Sequence, residues 1–200
     1  MKFKILSVIA VSVAALGISK STYAAPAAGA KFTVVSEISN INKIEIHGNV
    51  ELFVSDGSTD QVKVYNHYYS ESALVQSKNG VLRITSYMPE KLVVWVTAND
   101  LRAISAYDNA EIKSFGKLSK IELDVDLHNN ASAKLNLDAY DANVTLGDHS
   151  KADLSGNADD LCLNRNSGSV VMDANLSVVQ FTDYKTGAKA VDEIEGIAGL

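Results

Sequence analysis

Residues 121–137 read Ile121-Glu-Leu-Asp-Val-Asp-Leu-His-Asn-Asn-Ala-Ser-Ala-Lys-Leu-Asn-Leu137. Apolar residues fall at every second position on both sides of a polar break at 128–130. Period two is the mark of a strand with one buried face. The stretch therefore reads strand, turn, strand. Asn suits the turn because it tolerates turn geometry and bonds nearby backbone. The unit recurs as Tyr107-Asp-Asn-Ala-Glu-Ile112, His128-Asn-Asn-Ala-Ser-Ala133, Gly147-Asp-His-Ser-Lys-Ala152, Arg165-Asn-Ser-Gly-Ser-Val170 and Tyr184-Lys-Thr-Gly-Ala-Lys189. Its starts lie 21, 19, 18 and 19 residues apart.

A repeat of about 20 residues cannot bury its own apolar face, so copies must stack into one continuous core. The pattern predicts an all-β fold: a right-handed β-helix or solenoid of short coils, preceded by an N-terminal β-sheet region. An irregular antiparallel β-sandwich is the alternative. Leu123, Val125, Leu135, Val144, Leu146, Leu154, Leu163, Val179 and Phe181 are expected to face the interior, and Cys162 to face away from it. Asp108, Asn129, Asp148 and Asn166 are expected to form one turn column. Tyr107, His128, Arg165 and Tyr184 would form a neighbouring one.

The N-terminal strands precede these coils. Ile44 and Ile46 alternate, as do Val50, Leu52 and Val54. Asn79-Gly80 between 74–77 and 81–85 reads as a β-hairpin, because both central residues of a type I′ turn need positive φ. Residues 92–97 are nearly all apolar and read as a strand covered on both faces.

Before them lies an address. Lys2 and Lys4 open the chain, and residues 5–18 form an apolar run of 14, short of the roughly 20 that a spanning helix needs. Small residues follow, and Thr22 and Ala24 suit cleavage after Ala24. The expected organisation is a signal peptide at 1–24 and a linker at 25–31. A single β domain then occupies 32–190, with N-terminal strands to 99 and coils from 100. A tail, 191–200, ends the chain. Cleavage removes three Lys and leaves 15 basic against 24 acidic residues, a net charge of −9. The mature chain has no transmembrane segment and is expected in the periplasm or outside the cell.

The 200 residues are 46% hydrophobic and 21% charged, the composition of a globular protein. A net charge of −6 without a basic block argues against nucleic-acid binding. One Cys excludes an intramolecular disulfide and any Cys-based metal cluster. The four His lack zinc-hydrolase spacing, and no nucleophile elbow or phosphate loop occurs. No catalytic residue, metal ligand or cofactor is assigned. Glu122, Asp124 and Asp126 share one strand face; a calcium site or acid–base pair there would draw in Asp138 and Asn143, whereas a solvated face needs neither.

The layout resembles the bacterial auto-transporter adhesin head family, or head GIN domain. Three features carry the resemblance. They are Ile44-Glu-Ile-His-Gly-Asn-Val-Glu-Leu52 with Val62-Lys-Val64, Asn79-Gly-Val-Leu-Arg-Ile84 before the apolar strand, and Asp100-Leu-Arg-Ala-Ile104 opening the repeats. The family's Ser-Gly-rich turn survives at Asn166-Ser-Gly-Ser169 and Lys185-Thr-Gly-Ala188. The chain closes with Glu193-Ile-Glu-Gly-Ile-Ala-Gly-Leu200, where the family has Gly-x-Pro. The resemblance implies an exported β-helix-like fold and supplies no catalytic residues.

The expected function is a non-enzymatic, adhesin-like envelope or secreted protein whose partner is a carbohydrate or cell-surface protein. A small polysaccharide-degrading β-helical enzyme and a purely structural envelope protein are the alternatives. Candidate ligand-binding residues are Tyr65, His67, Tyr68 and Tyr69, together with the edge column of Tyr107, Arg165 and Tyr184. Rigid, amphipathic Tyr loses little side-chain entropy on binding. Mass spectrometry of the exported protein is expected to find its N-terminus at Ala25; a soluble cytoplasmic product that retains Met1 would contradict the export signal.

Overall fold

A computed structural model describes residues 32–35, 38–65 and 73–186. The chain is all-β there, with no helix among the described residues. The strands are β1 (Thr33–Val35), β2 (Lys43–Gly48), β3 (Val50–Asp56), β4 (Gln61–Val64), β5 (Ala73–Lys78), β6 (Val81–Ser86), β7 (Leu92–Ala98), β8 (Ala103–Ala106), β9 (Glu111–Ser114), β10 (Leu118–Leu127), β11 (Ser132–Leu146), β12 (Lys151–Asn166) and β13 (Val170–Thr186). All belong to one curled, 13-stranded sheet.

The sheet has two arms joined through the long strands. In the first arm β5 pairs with β6, and β2, β8, β10, β11, β12 and β13 follow. In the second, β1 pairs with β4, and β7, β3, β9, β11, β12 and β13 follow. Only the β1–β4, β4–β7 and β5–β6 pairs are antiparallel. The hairpin expected at Asn79-Gly80 is the last of these, with φ of 52° and 80° at its two central residues. Parallel partners among the later strands are 19 to 21 residues apart, as at Leu127↔Leu146 and Ala106↔Leu127. The N-terminal strands continue the same stack. β2 lies between β6 and β8, and β3 between β7 and β9.

One core lies between the arms. Ile44, Ile46, Leu82, Ile84 and Ile104 come from the first, and Leu52, Val54, Val94, Val96 and Ile112 from the second. Leu123, Val125, Leu135, Val144, Leu146, Leu154 and Leu163 are buried as expected. Val179 and Phe181 are not: they are 79% and 52% exposed. For Val179 the cause is a phase slip that alternation conceals. In β11 the buried set runs Leu135, Leu137, Ala139 and then Ala142, Val144, Leu146. Tyr140 and Asp141 between them both turn outward, and the chain bends from one arm to the other. The same slip occurs at Ile121–Glu122 and Asp159–Asp160. Val179 occupies the corresponding place in β13, whereas Phe181 keeps register with the buried Leu161 and is exposed because β13 is the last described strand. Ile121, expected to continue the Leu123 face, is 83% exposed through the slip.

Residues 92–97 are covered on one face only. Leu92, Val94 and Val96 enter the core, while Val93, Trp95 and Thr97 face outward and are half-buried. Cys162 is half-buried and outward, between the buried Leu161 and Leu163. Gly156 has φ of 97°, and a Cβ there would sit 2.1 Å from the Leu137 carbonyl oxygen, so only glycine fits.

Leu146→Ala is expected to cost about 2–5 kcal/mol in denaturant unfolding. Val179→Ala, at an exposed corner, should change stability by less than about 0.5 kcal/mol. Equal losses from the two would mean that the slip at the corners is misplaced.

Candidate functional site

The turns between arms set the geometry. Asp108, Asn129 and Asp148 have φ of 62°, 58° and 53°, the left-handed region that Asn and Asp tolerate best after glycine. Each turn closes three residues later onto a buried small residue. Ala110, Ala131 and Ser150 donate their N–H groups to the carbonyls of Tyr107, His128 and Gly147. Each left-handed side chain then accepts a bond from a neighbouring rung. Gly48 N–H donates to Asp108 Oδ2 at 3.0 Å, Asp108 N–H to Asn129 Oδ1 at 3.1 Å, and Asn129 N–H to Asp148 Oδ2 at 2.9 Å. The expected fourth member departs. Register sets Asn166 beside Gly147, and its Oδ1 accepts from Gly168 and Ser169 within its own turn.

The position before each left-handed residue points outward on the first arm. His47, Tyr107 and His128 occupy it on consecutive rungs, and their rings stack. The centroids are 4.5 Å apart for His47 and Tyr107 and 4.9 Å for Tyr107 and His128, with 3° between planes in both pairs. These distances match the ~4.7–4.9 Å strand spacing, so the register itself lines up the rings. A second column two residues earlier steadies them. His47 Nε2 lies 3.0 Å from Glu45 Oε1, and His128 Nε2 lies 2.9 Å from Asp126 Oδ1. Ser105 holds the matching place between Glu45 and Asp126. Burial, then the negative charges of Asp126 and Glu45, hold the Tyr107 phenol above its ordinary range, so it stays protonated.

The edge column is thus real for Tyr107 and His128 and does not extend to Arg165 or Tyr184. Arg165 is in register with Leu146, not with Gly147, and forms a bidentate ion pair with Asp183, at 3.0 and 2.6 Å. Tyr184 is in register with Asn164, one column away. The missed residue is His47. The signal was present, since Glu45-x-His47 repeats as Asp126-x-His128, but their adjacency depends on a rung order that the chain order hides.

The second arm carries the other ring cluster. Phe53 and Trp95 are in register and stack at 4.8 Å. Phe115 and Tyr65 lean on Trp95 at 5.1 and 6.3 Å, and Phe32 on Tyr65 at 5.3 Å. Lys113 lies over Phe53 at 5.7 Å and Lys63 over Phe32 at 5.6 Å, within cation–π range. Tyr65 is therefore placed in an outward cluster, with partners that sequence reasoning assigned to the covered strand. His67, Tyr68 and Tyr69 lie outside the described residues.

The carboxylate face is dispersed among local partners. Asp124 accepts from Asn143 at 3.1 Å, Asp126 pairs with His128, and Asp138 is met by Ser119 instead. Among the described residues no cluster of three or more His, Cys, Asp or Glu is arranged to hold a metal ion. An open groove of about 500 Å³ lies at the turn end of the first arm, lined by Tyr87, Met88, Asn49, Asp108 and Asn109 among others.

Glu45 gives the ring column a pH dependence. The His47 hydrogen bond, with help from Arg83, holds its carboxyl below the usual range. A depressed folded pKa contributes stability that is present above the unfolded value and lost as pH falls through the folded one. Glu45→Gln is expected to flatten the loss of stability on acidification below about pH 4.5, the ordinary Glu value. An unchanged acid limb in denaturant titrations would contradict this.

No helix among the described residues is long and apolar enough to cross a membrane. No curated protein matches the chain. Crystal structures with the same fold include an adhesin, described as putative, from Bacteroides fragilis, at 15% identity and a TM-score of 0.65, covering 78% of this chain and 76% of that one. A second such adhesin, from Parabacteroides merdae, has 16% identity and a TM-score of 0.56, with 78% and 77% covered. A protein from Parabacteroides distasonis described as a putative lipid-binding protein has 10% identity and a TM-score of 0.53, with 76% of each chain covered. The family model for "putative auto-transporter adhesin, head GIN domain" matches residues 40–189. With three quarters of its length matched, the chain belongs to the head GIN domain family.

Proposed function

We propose that the protein is exported with loss of residues 1–24 and acts, without catalysis, as an adhesin-like binder of surface glycan. In this reading residues 32–190 work as one domain, wound as a short right-handed β-solenoid. The 19-to-21-residue parallel offsets support that winding. Membership of an adhesin-head family supports an extracytoplasmic binding role.

The observation that carries the reading is the outward ring cluster around Trp95. A sheet needs large apolar groups on its core face, and here Phe53, Trp95, Tyr65 and Phe115 stand on the other face. Phe115 is 54% exposed. Aromatic faces flanked by Lys63 and Lys113 offer stacking surface with polar donors at the rim, which suits a sugar ring. Tyr68, Tyr69 and His67 follow Tyr65 directly in the chain and belong to the same proposed surface. A protein partner would use the same rings as anchors. Self-association is the second reading. β13 has no strand on its outer edge among the described residues and exposes Met172, Val179 and Phe181.

A glycan array probed with the exported protein should show binding to a subset of neutral glycans. The Tyr65→Ala/Trp95→Ala variant, checked for its fold by circular dichroism, should weaken that binding at least tenfold. Undiminished binding by the variant would move the site elsewhere, and release of reducing ends from a bound polysaccharide would make the protein an enzyme.

A further inference from the structure

The ring column on the first arm stops short. His47, Tyr107 and His128 fill three successive positions, and the next position on the sheet is Gly147. A Cβ built on Gly147 would have His128 Nδ1 at 3.1 Å, Leu127 O at 3.6 Å and His128 Cε1 at 3.8 Å as its nearest neighbours. All three belong to the His128 rung, whose ring leans toward the glycine. The next member, Asn166, turns its carboxamide back into its own turn. Two consecutive positions thus set no ring against the outer face of His128. Beside the gap, Thr145 follows Asp126 in the neighbouring column, then Asn164, then Tyr184.

We propose that the face of His128 on the Gly147 side, where the ring column ends, is a subsite for one uncharged pyranose ring of a glycan. The ring would continue the stack at the spacing the strands already impose. Thr145 and Asn164 supply a hydroxyl and a carboxamide at its edge, which both donate and accept as sugar hydroxyls require. Asp126 and Asp148, on either side of the position, disfavour uronic acids. Asp126 Oδ1 lies 2.9 Å from His128 Nε2, at the edge of the ring. The subsite rests on the glycan reading above but lies on the opposite arm from Trp95, so the two can fail separately.

The test is an NMR titration of the isotope-labelled exported protein with methyl β-glucoside, methyl β-galactoside, methyl N-acetyl-β-glucosaminide and methyl β-glucuronide. At least one neutral glycoside should shift the His128 ring and Gly147 amide signals saturably, with the glucuronide at least tenfold weaker. Gly147→Phe places a ring of the protein's own in the gap and should abolish these shifts while leaving any response at Trp95. Should that variant not fold, His128→Ala tests the same point, with tenfold weaker binding expected. Saturable shifts at Trp95 without any at His128 would overturn the subsite and leave the glycan reading standing. Unchanged binding in the folded variants would also overturn the subsite. Absence of saturable shifts at both surfaces, with an array on which no glycan is bound, would overturn both.

Discussion

The structure depends on a hydrogen-bonded column of left-handed turn residues. Asn129 shows its working. Its N–H donates to Asp148, its side-chain oxygen accepts from Asp108 N–H, and its carbonyl accepts from His149 N–H at 2.9 Å. A non-glycine residue in this region is strained by about 1–2 kcal/mol, and a hydrogen bond to a charged group returns about 1.5–3 kcal/mol when sheltered. Locally the two are close to balance. What the column adds is position. It fixes the turn on one rung against the turn on the next, and a one-residue slip would send every inner side chain outward.

Two consequences follow from parallel rungs in fixed register. Like residues sit on like, so Leu127 faces Leu146 and Val125 faces Val144 inside. Outside, the same rule brings together His47, Tyr107 and His128, which are far apart in the chain, and sets Trp95 on Phe53. The rings need no separate mechanism to find one another, because strand spacing and ring-stacking distance coincide. The surface proposed to bind and the core that folds the chain are thus two faces of one register.

Much of this was legible in the sequence. Asn79-Gly80 declared its hairpin because two positive φ values admit few other pairs. Asp108, Asn129 and Asp148 declared a column because side chains at matched turns share one geometric need. Three things were hidden. Corners such as Tyr140–Asp141 are phase slips by a single residue, invisible to any count of alternating positions. The rung of 43–56 lies between those of 81–98 and 103–114, so spatial order differs from chain order. That insertion is why His47 escaped the ring column. Trp95 escaped the outer cluster because a nearly unbroken apolar strand gives no hint of which face is wet. Arg165 was misplaced for a related reason: a repeat spacing of 18 residues sets it beside Gly147, whereas the strands keep an offset of 19 and set it beside Leu146, where it pairs with Asp183.

The column is tested most directly by hydrogen exchange at single amides. The amides of Gly48, Asp108 and Asn129 lie at turns, and each donates to a side chain on another rung. In the native protein all three should exchange as slowly as core strand amides, and Asn129→Ala should release Asp108 while the strands stay protected. Rapid exchange of these amides in the unmodified protein, at the rate of open turns, would contradict the account.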